Sequence, residues 1–319
     1  MVKKYNIGVD IGGTNVKIAL VDQKGAIVYS NSVPTRAEMG YEYTVKNIKE
    51  TIYTSMKESD ITIDSIGGIG FGLPGQINSE AGVVRLLPNI PGWVNVPLGQ
   101  IIEDEFKVKC KIDNDVRVAT LGEFTYGAGQ GCKNLVCITV GTGVGSGIIV
   151  NGQLVRGASM SAGEIGHMIL QAHEGPICGC GNTGCLEAFA SGPSIVQLAK
   201  EYLSGGKSAK FEELANGREI TPFMVYEAAM QGDAVAKRIF AIVGEWLGIA
   251  LTSVVNLLNP EKIIIGGGVS QAGNFLIDPI RQTIKERAIK VSADAVEVVT
   301  AKLGERAGVI GASLLIDNK

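Results

Sequence analysis

Two kinds of apolar pattern alternate along this chain. Short apolar runs of five to eight residues end in glycine, and longer stretches repeat their apolar positions every three or four residues. The first kind predicts strands and the second predicts amphipathic helices. Asn6–Asp10 predicts a buried strand that ends in Gly-Gly-Thr. Val16–Val21 predicts a second strand, and Gly25 opens a turn to a third near Ile27–Val33. A helix is expected over about Tyr43–Ser59, because Val45, Ile48, Ile52 and Met56 share one face. Ile66–Phe71 predicts a glycine-rich strand, followed by a turn at Pro74-Gly75. Pro97 starts a short helix with Leu98, Ile101, Ile102 and Phe106 on one side. Val108–Ile112 predicts a strand with Asp113-Asn114-Asp115 at its carboxyl end, and a helix then runs to about Phe124.

The pattern then restarts. Leu135–Val140 predicts a strand, Gly141–Gly147 a turn, and Gly147–Val150 a returning strand with Asn151-Gly152 as its hairpin turn. Laid over residues 9–22 at an offset of 129, this segment matches turn for turn, with Val9-Asp10-Ile11-Gly12 on Ile138-Thr139-Val140-Gly141. An internal duplication is expected. Helices follow from Pro193, from Thr221-Pro222, and over about Ala234–Leu258. The last is apolar nearly all round, and so is expected to be buried. Lys262–Ile265 predicts a strand ending in Gly266-Gly267-Gly268. A helix over about Asn274–Ala288, a strand over Val296–Val299 and a helix over Arg306–Ile316 complete the chain. Strands alternating with helices give an α/β class, with a domain boundary near Asp113–Asp115.

Composition narrows what such a chain does. With 319 residues there is room for two domains, and an apolar share of 45% supplies a substantial core. The net charge of −3 argues against nucleic acid as a partner, which calls for a basic face. No uninterrupted apolar run reaches the ~18 residues of a membrane span, and no leader or membrane role is expected. The six cysteines are expected to be reduced, in a cytoplasmic setting.

The 43 glycines cluster after apolar runs. Three glycine-rich turns each follow a strand: Gly12-Gly13-Thr14, Gly141–Gly147 with Thr142 and Gly143, and Gly266-Gly267-Gly268. Turn amides of this kind can form a nest for anions, although any one of them could be a plain tight hairpin. Asp10, just before the first, suits a place beside a hydrated Mg²⁺ and a polyphosphate. Neither a P-loop nor a Rossmann fingerprint is present. Asp115 stands at a strand-to-helix junction, where a carboxylate is either a helix cap or a base that takes the proton of an attacking hydroxyl. Asn114, with donor and acceptor, could hold neighbouring hydroxyls.

The stretch Gly163–Glu187 holds both histidines, His167 and His173, and three cysteines, Cys178, Cys180 and Cys185. Thiols alternating with glycines pack a core poorly. They predict a closed, structural zinc site with His167, Cys178, Cys180 and Cys185 as ligands, His173 being the alternative to His167. Such a site would fix a loop that aims Glu164, His167 and Glu187 at a polyhydroxylated ligand. Glu174 reads as solvated, and Lys17, Arg36 and Arg156 as surface charges.

Together DIGGT (Asp10–Thr14), GTGVGSG (Gly141–Gly147), GEIGH (Gly163–His167), CGCGNTGCLE (Cys178–Glu187) and GGGV (Gly266–Val269) resemble the ROK family of bacterial sugar kinases and sugar-responsive repressors, most of all its glucokinases. The resemblance spans essentially the whole chain. It implies two ribonuclease H-like domains, as in actin and hexokinase, with ATP and sugar in the cleft. The expected division is 1–114, completed by a C-terminal helix over 303–319, and 115–302 with the zinc loop. The family's base falls on Asp115, its sugar contacts on Asn114, Glu164, His167 and Glu187 with the turn at Gly75 nearby, and its zinc ligands on the four residues named above. Its phosphate turns fall on Gly12, Gly13, Thr14, Thr142 and Gly143, and its adenosine side on Gly266, Gly267 and Gly268. One departure is plain: small residues often follow the Asn-Asp pair in this family, whereas Val116-Arg117-Val118-Ala119 follows it here.

The resulting expectation is ATP-dependent phosphorylation of a hexose, glucose first, with Mg²⁺ and a structural Zn²⁺, in a homodimer or higher oligomer. The rivals are mannose, allose, N-acetylmannosamine or N-acetylglucosamine as acceptor, and polyphosphate as donor. Two other classes compete: an actin-like ATPase, and a sugar-sensing repressor, for which no helix-turn-helix is expected before Asp10.

Overall fold

A computed structural model describes residues 3–88, 90–205 and 209–317; residues 1, 2, 318 and 319, at the ends of the expected first-domain segments, lie outside the described residues. The chain opens with β1 (Tyr5–Ile11), β2 (Asn15–Asp22) and β3 (Ile27–Pro34), then α1 (Gly40–Glu58) and β4 (Ile66–Leu73). Three short strands follow, β5 (Gln76–Asn78), β6 (Val83–Leu86) and β7 (Val94–Val96), then α2 (Leu98–Phe106), β8 (Lys109–Asn114) and α3 (Asp115–Tyr126). After them come β9 (Leu135–Val140), β10 (Val144–Val150), β11 (Gln153–Leu154), α4 (Leu186–Ala190), α5 (Gly192–Ser204), α6 (Ala209–Ala215), α7 (Pro222–Met230) and α8 (Ala234–Leu258). The chain ends with β12 (Lys262–Gly266), α9 (Asn274–Arg287), α10 (Lys290–Ala295), β13 (Glu297–Thr300) and α11 (Ala307–Leu314).

Two five-stranded mixed sheets carry the same topology. One has the order β3-β2-β1-β4-β8 and the other β11-β10-β9-β12-β13. In the first sheet β1–β2 and β2–β3 are antiparallel, and β1–β4 and β4–β8 are parallel. In the second sheet β10–β11 is antiparallel, and β9–β12 and β12–β13 are parallel. β1 thus corresponds to β9 and β2 to β10, which is the pairing the offset of 129 expects.

The chain divides into two compact units. The first comprises residues 1–131, 147–162 and 302–319, and the second residues 132–146 and 163–301. The expected boundary at 114/115 falls inside the first unit, because α3 packs on α11 there and its Val118 and Leu121 share a buried cluster with Ala312 and Leu315. In the first unit, α1 contributes Val45, Ile48, Ile52 and Met56 to a core with Ile7, Val9, Ile18, Ile69 and Phe71 of the sheet. Each such aliphatic burial is worth ~1.5–3 kcal/mol. Helix α11 lies against β1 and β4 so closely that a Cβ on Gly8 or Gly70 would overlap the Val309 or Ala312 carbonyl. The three-stranded sheet β5-β6-β7 follows the Pro74-Gly75 turn; its strands are too short to show an alternation.

In the second unit α8 packs on α9, α7, α5 and α4. It is long and apolar enough by composition to cross a membrane, yet Ile239, Phe240, Val243, Leu247 and Leu251 are buried within the protein. Burial is confined to part of its circumference, and Leu257 is 82% exposed.

Candidate functional site

In the first unit, β8 delivers three consecutive polar residues. Asp113 is fully buried, and Asn114 and Asp115 form the entry to α3. Asn114 is the helix cap: its Oδ1 accepts from the backbone N–H groups of Val116 (3.0 Å) and Arg117 (3.2 Å). Its side-chain amide donates to the Gly75 carbonyl at 3.5 Å, which ties the cap to the turn after β4. Gly75 has φ +121°, and a Cβ there would overlap the Leu86 carbonyl. Asp115 is therefore not the cap. Its Oδ1 accepts from Val116 N–H at 2.9 Å. Burial raises its carboxyl above the ordinary range, against the pull of nearby N–H groups and of the Arg117 guanidinium.

The departure after the Asn-Asp pair turns inward. Arg117 is 3% exposed, and its Nε lies 2.7 Å from Asp113 Oδ1. That approach is an ion pair without good hydrogen-bond alignment. Arg156 Nε donates to the other Asp113 oxygen at 2.7 Å. Arg156, expected as a surface charge, is only partly exposed and pairs with the buried Asp113, because the fully buried carboxylate requires compensation.

Asp10 sits on β1 in register with Lys17 of β2. Burial first, and the Asp115 carboxylate second, push its carboxyl up to about 7, while Lys17 pulls it down. A Cβ on Gly308 of α11 would overlap the Asp10 carboxylate, so that helix passes directly over it. The turn Gly12-Gly13-Thr14 is held by Gly12 N–H to the Asn15 carbonyl (2.9 Å) and by the Thr35 hydroxyl to the Gly12 carbonyl (2.7 Å). Gly13 and Thr14 are exposed at its tip.

In the second unit, the ligand atoms of His167, Cys178, Cys180 and Cys185 all lie within 4.8 Å of one another. His167 Nδ1 is 3.7 Å from Cys178 Sγ, and Cys180 Sγ is 3.7 Å from Cys185 Sγ. Tetrahedral bonds of ~2.3 Å to sulfur and ~2.0 Å to nitrogen require edges of about 3.6–3.8 Å. The four residues therefore fit a structural zinc ion. Burial raises the Cys178 and Cys185 thiols, so a bound cation is what would make thiolates of them. His173 is exposed and stands outside the group.

The zinc loop leads straight into α4, whose first turn carries Glu187. Glu187 Oε2 accepts the Val144 N–H at 2.9 Å. Gly143 makes room for this contact, since a Cβ there would overlap the same oxygen. Glu164 precedes the short helical turn Ile165–His167, and its carbonyl accepts the His167 N–H at 3.0 Å. Gly163 (φ +95°), against Ser146, fixes the approach to it.

A cavity of ≈ 720 Å³ opens beside the Gly141-Thr142 turn, with Gly192, Pro193, Val196, Gln197, Lys200, Thr221, Pro222, Phe223, Tyr226 and Gly268 in its wall. Of the three glycines at the end of β12, Gly266, Gly267 and Gly268, only Gly268 lines it. Gly266 is buried in the strand, and Gly267 (φ +81°) packs on Val140. Sequence reasoning missed the walls from α5 and α7. The Pro193 and Thr221-Pro222 helix starts mark them, but those signals report only where a helix begins.

The ROK family profile matches residues 6–319. A glucokinase of Halalkalibacterium halodurans is 38% identical over 317 residues, which cover 99% of this chain and 96% of that protein. The xylose repressor of Caldicellulosiruptor bescii is 33% identical over 97% of this chain and 77% of its own length. The crystal structure of a ROK family glucokinase from Streptomyces griseus, in complex with glucose and AMPPNP, superposes with TM-score 0.83 at 34% identity, covering 98% of both chains. Motifs, sheet topology, metal cluster and relatives agree: this chain belongs to the ROK family.

Proposed function

We propose that this protein transfers the γ-phosphoryl group of ATP to a hydroxyl of a hexose, with glucose the first candidate. The observation that carries the reading is the division of roles at the start of α3. Asn114 satisfies the helix amides, and this leaves Asp115 as a carboxylate that burial has made more basic. A base of raised pKa suits removal of a hydroxyl proton as the oxygen attacks phosphorus.

Each remaining group has a matching task. The exposed amides and hydroxyls at Thr14 and Thr142 would receive phosphate oxygens, and Asp10 would stand beside the hydrated magnesium of the nucleotide. Magnesium, when bound, neutralises charge on the transferring group. The mainly apolar cavity next to Thr142 suits a nucleoside better than a polyphosphate chain. Glu164, His167 and Glu187 would accept from and donate to sugar hydroxyls. The zinc site would hold Glu187 in place from the preceding residues. The reaction needs ATP, and the site needs reduced thiols, so we infer action in the cytoplasm and, from the family, as a homodimer or larger homo-oligomer.

A sugar-responsive repressor is the second reading, favoured by the 33% identity to the xylose repressor. The net charge of −3 gives it no electrostatic support. Coupled ADP release across a panel of hexoses and N-acetylhexosamines, beside a mobility-shift assay on genomic fragments, separates the two. Turnover with no hexose, together with a specific DNA shift, would overturn the kinase.

A further inference from the structure

Asp113 lies at the centre of a chain of ion pairs that neither the phosphate turns nor the sugar-facing loop requires. Its Oδ1 accepts the Asn114 N–H at 2.8 Å and lies 2.7 Å from Arg117 Nε. Its Oδ2 accepts from Arg156 Nε at 2.7 Å. The far end of Arg117 reaches on, with Nη1 donating to the Met160 carbonyl at 2.6 Å. Met160 has φ +61°, a left-handed conformation uncommon outside glycine, and the Arg117 guanidinium holds its carbonyl. One buried carboxylate thus joins three pieces of backbone: the end of β8, the first turn of α3 and the segment after β11.

We propose that Arg117 and Arg156, acting through Asp113, are positioning residues for the base: they lock the first turn of α3 on which Asp115 stands and set a net positive charge beside it. The charges support this. Formally the chain of Asp113, Arg117 and Arg156 sums to +1, and it begins two residues from a carboxylate that burial drives toward its neutral form. Around Asp115, burial opposes ionisation, while the Val116 and Asp115 N–H groups, the Arg117 guanidinium and the Asn114 side chain favour it; Asp10 of β1 is itself pushed toward its neutral form by Asp115, and Lys17 of β2 lies opposite Asp10. A base that is wholly neutral at working pH cannot take a proton. Arg117 therefore holds the burial effect at a useful level while anchoring the turn. A neutral residue of Asn size at this position could cap or pack, but could not supply that field.

The inference rests on Asp115 being the base, and the test separates the two ideas. Full-length Arg117→Gln, Arg117→Lys and Arg156→Gln variants are compared with wild type in kcat/KM against pH, using ATP and the best hexose of the panel. Selectively labelled protein gives the Asp115 carboxyl titration by ¹³C NMR, with Asp115→Asn assigning the signal. Arg117→Gln should move the acid limb and the carboxyl titration up by about one pH unit and lower kcat about tenfold or more. Arg117→Lys keeps the charge and should leave the limb near wild type. Arg156→Gln, altering a side chain 32% exposed, should move it less and serves if Arg117→Gln does not fold. An unmoved limb and titration in both Gln variants would overturn the inference, as would an equal shift in Arg117→Lys. Absence of turnover in the wild type would remove the kinase reading alone, since the NMR titration still decides whether Arg117 sets the Asp115 carboxyl.

Discussion

Replacing Asp10 by asparagine should make the nucleotide-free protein more stable at high pH, not less. Burial and the neighbouring Asp115 carboxylate hold the Asp10 carboxyl at about 7, against an ordinary value of 3.8. Below about pH 4 the group is neutral in the folded and unfolded chains alike, so it costs nothing. As pH rises from there, the unfolded chain releases its proton first and is favoured progressively, until the folded state ionises as well near pH 7. Above that pH the penalty is constant. A difference of about three pH units at ~1.4 kcal/mol each gives about 4 kcal/mol. Asp10 keeps a partly open edge, so solvent screening makes this an upper bound. Asparagine has nearly the same shape and no charge. It forfeits only the attraction of Lys17, whose exposed pairing with Glu305 at 2.8 Å remains.

The assay is urea unfolding followed by circular dichroism, without nucleotide or magnesium, at several pH values between about 4 and 8. The gain from Asp10→Asn should be small at the acid end and grow to a few kcal/mol by neutrality. Under the proposed role of Asp10 beside hydrated magnesium, turnover should meanwhile fall, and the site would carry a charge that the fold alone would not keep. A gain that does not change with pH, or a variant less stable throughout, would refute the linkage argument and with it the raised Asp10 carboxyl.

Asp115→Asn should still bind sugar by calorimetry but lose about 10²–10⁴ in turnover; near-normal turnover would remove Asp115 from the role of base. Cys180→Ser should lose zinc by elemental analysis and unfold at a lower temperature, as should wild type treated with chelator; unchanged metal content would contradict the ligand set. Gly143→Ala should raise the hexose KM and destabilise by about 1–3 kcal/mol, because the new Cβ meets the Glu187 carboxylate; unchanged sugar affinity would detach Glu187 from the sugar.

The sequence made the large elements legible because each had a strong local cause. The stripe Val45, Ile48, Ile52 and Met56 places α1, and all four residues are buried where the period puts them. The repeated strand–glycine turn–strand unit gave the shared sheet order. The metal cluster was legible because ligand chemistry is written in residue type, and the geometry chose His167 over His173. The three strands β5, β6 and β7 were not, since runs of three or four residues carry no period. The cavity walls from α5 and α7 were not either, because apolar residues on a helix look the same facing an open cavity as facing a core. The nearly all-apolar α8 suggested burial; Ile239, Phe240, Val243, Leu247 and Leu251 are buried, while Leu257 at the helix end lies at the surface.

The Asp113-Asn114-Asp115 triplet shows where local reading reaches its limit. From sequence alone, cap and base are equally open for Asp115, and Asn114 reads as a hydroxyl contact. The geometry assigns three distinct roles to three adjacent polar residues. Asn114 caps the helix amides of Val116 and Arg117, Asp113 turns inward to two guanidiniums, and Asp115 shares the Val116 N–H while burial raises its carboxyl. What decides among them is partners 39 and 43 residues away along the chain, namely Gly75 and Arg156. No window on the sequence around the triplet contains those partners. Arg117 is the exception: its place within the first turn of α3 was visible as a departure from the family pattern before its burial was known. A bulky cation in a turn where small residues are usual has to be either solvated or paired. The fully buried Asp113 one helical turn earlier is the group that could pair it, and the ion pair at 2.7 Å is the outcome.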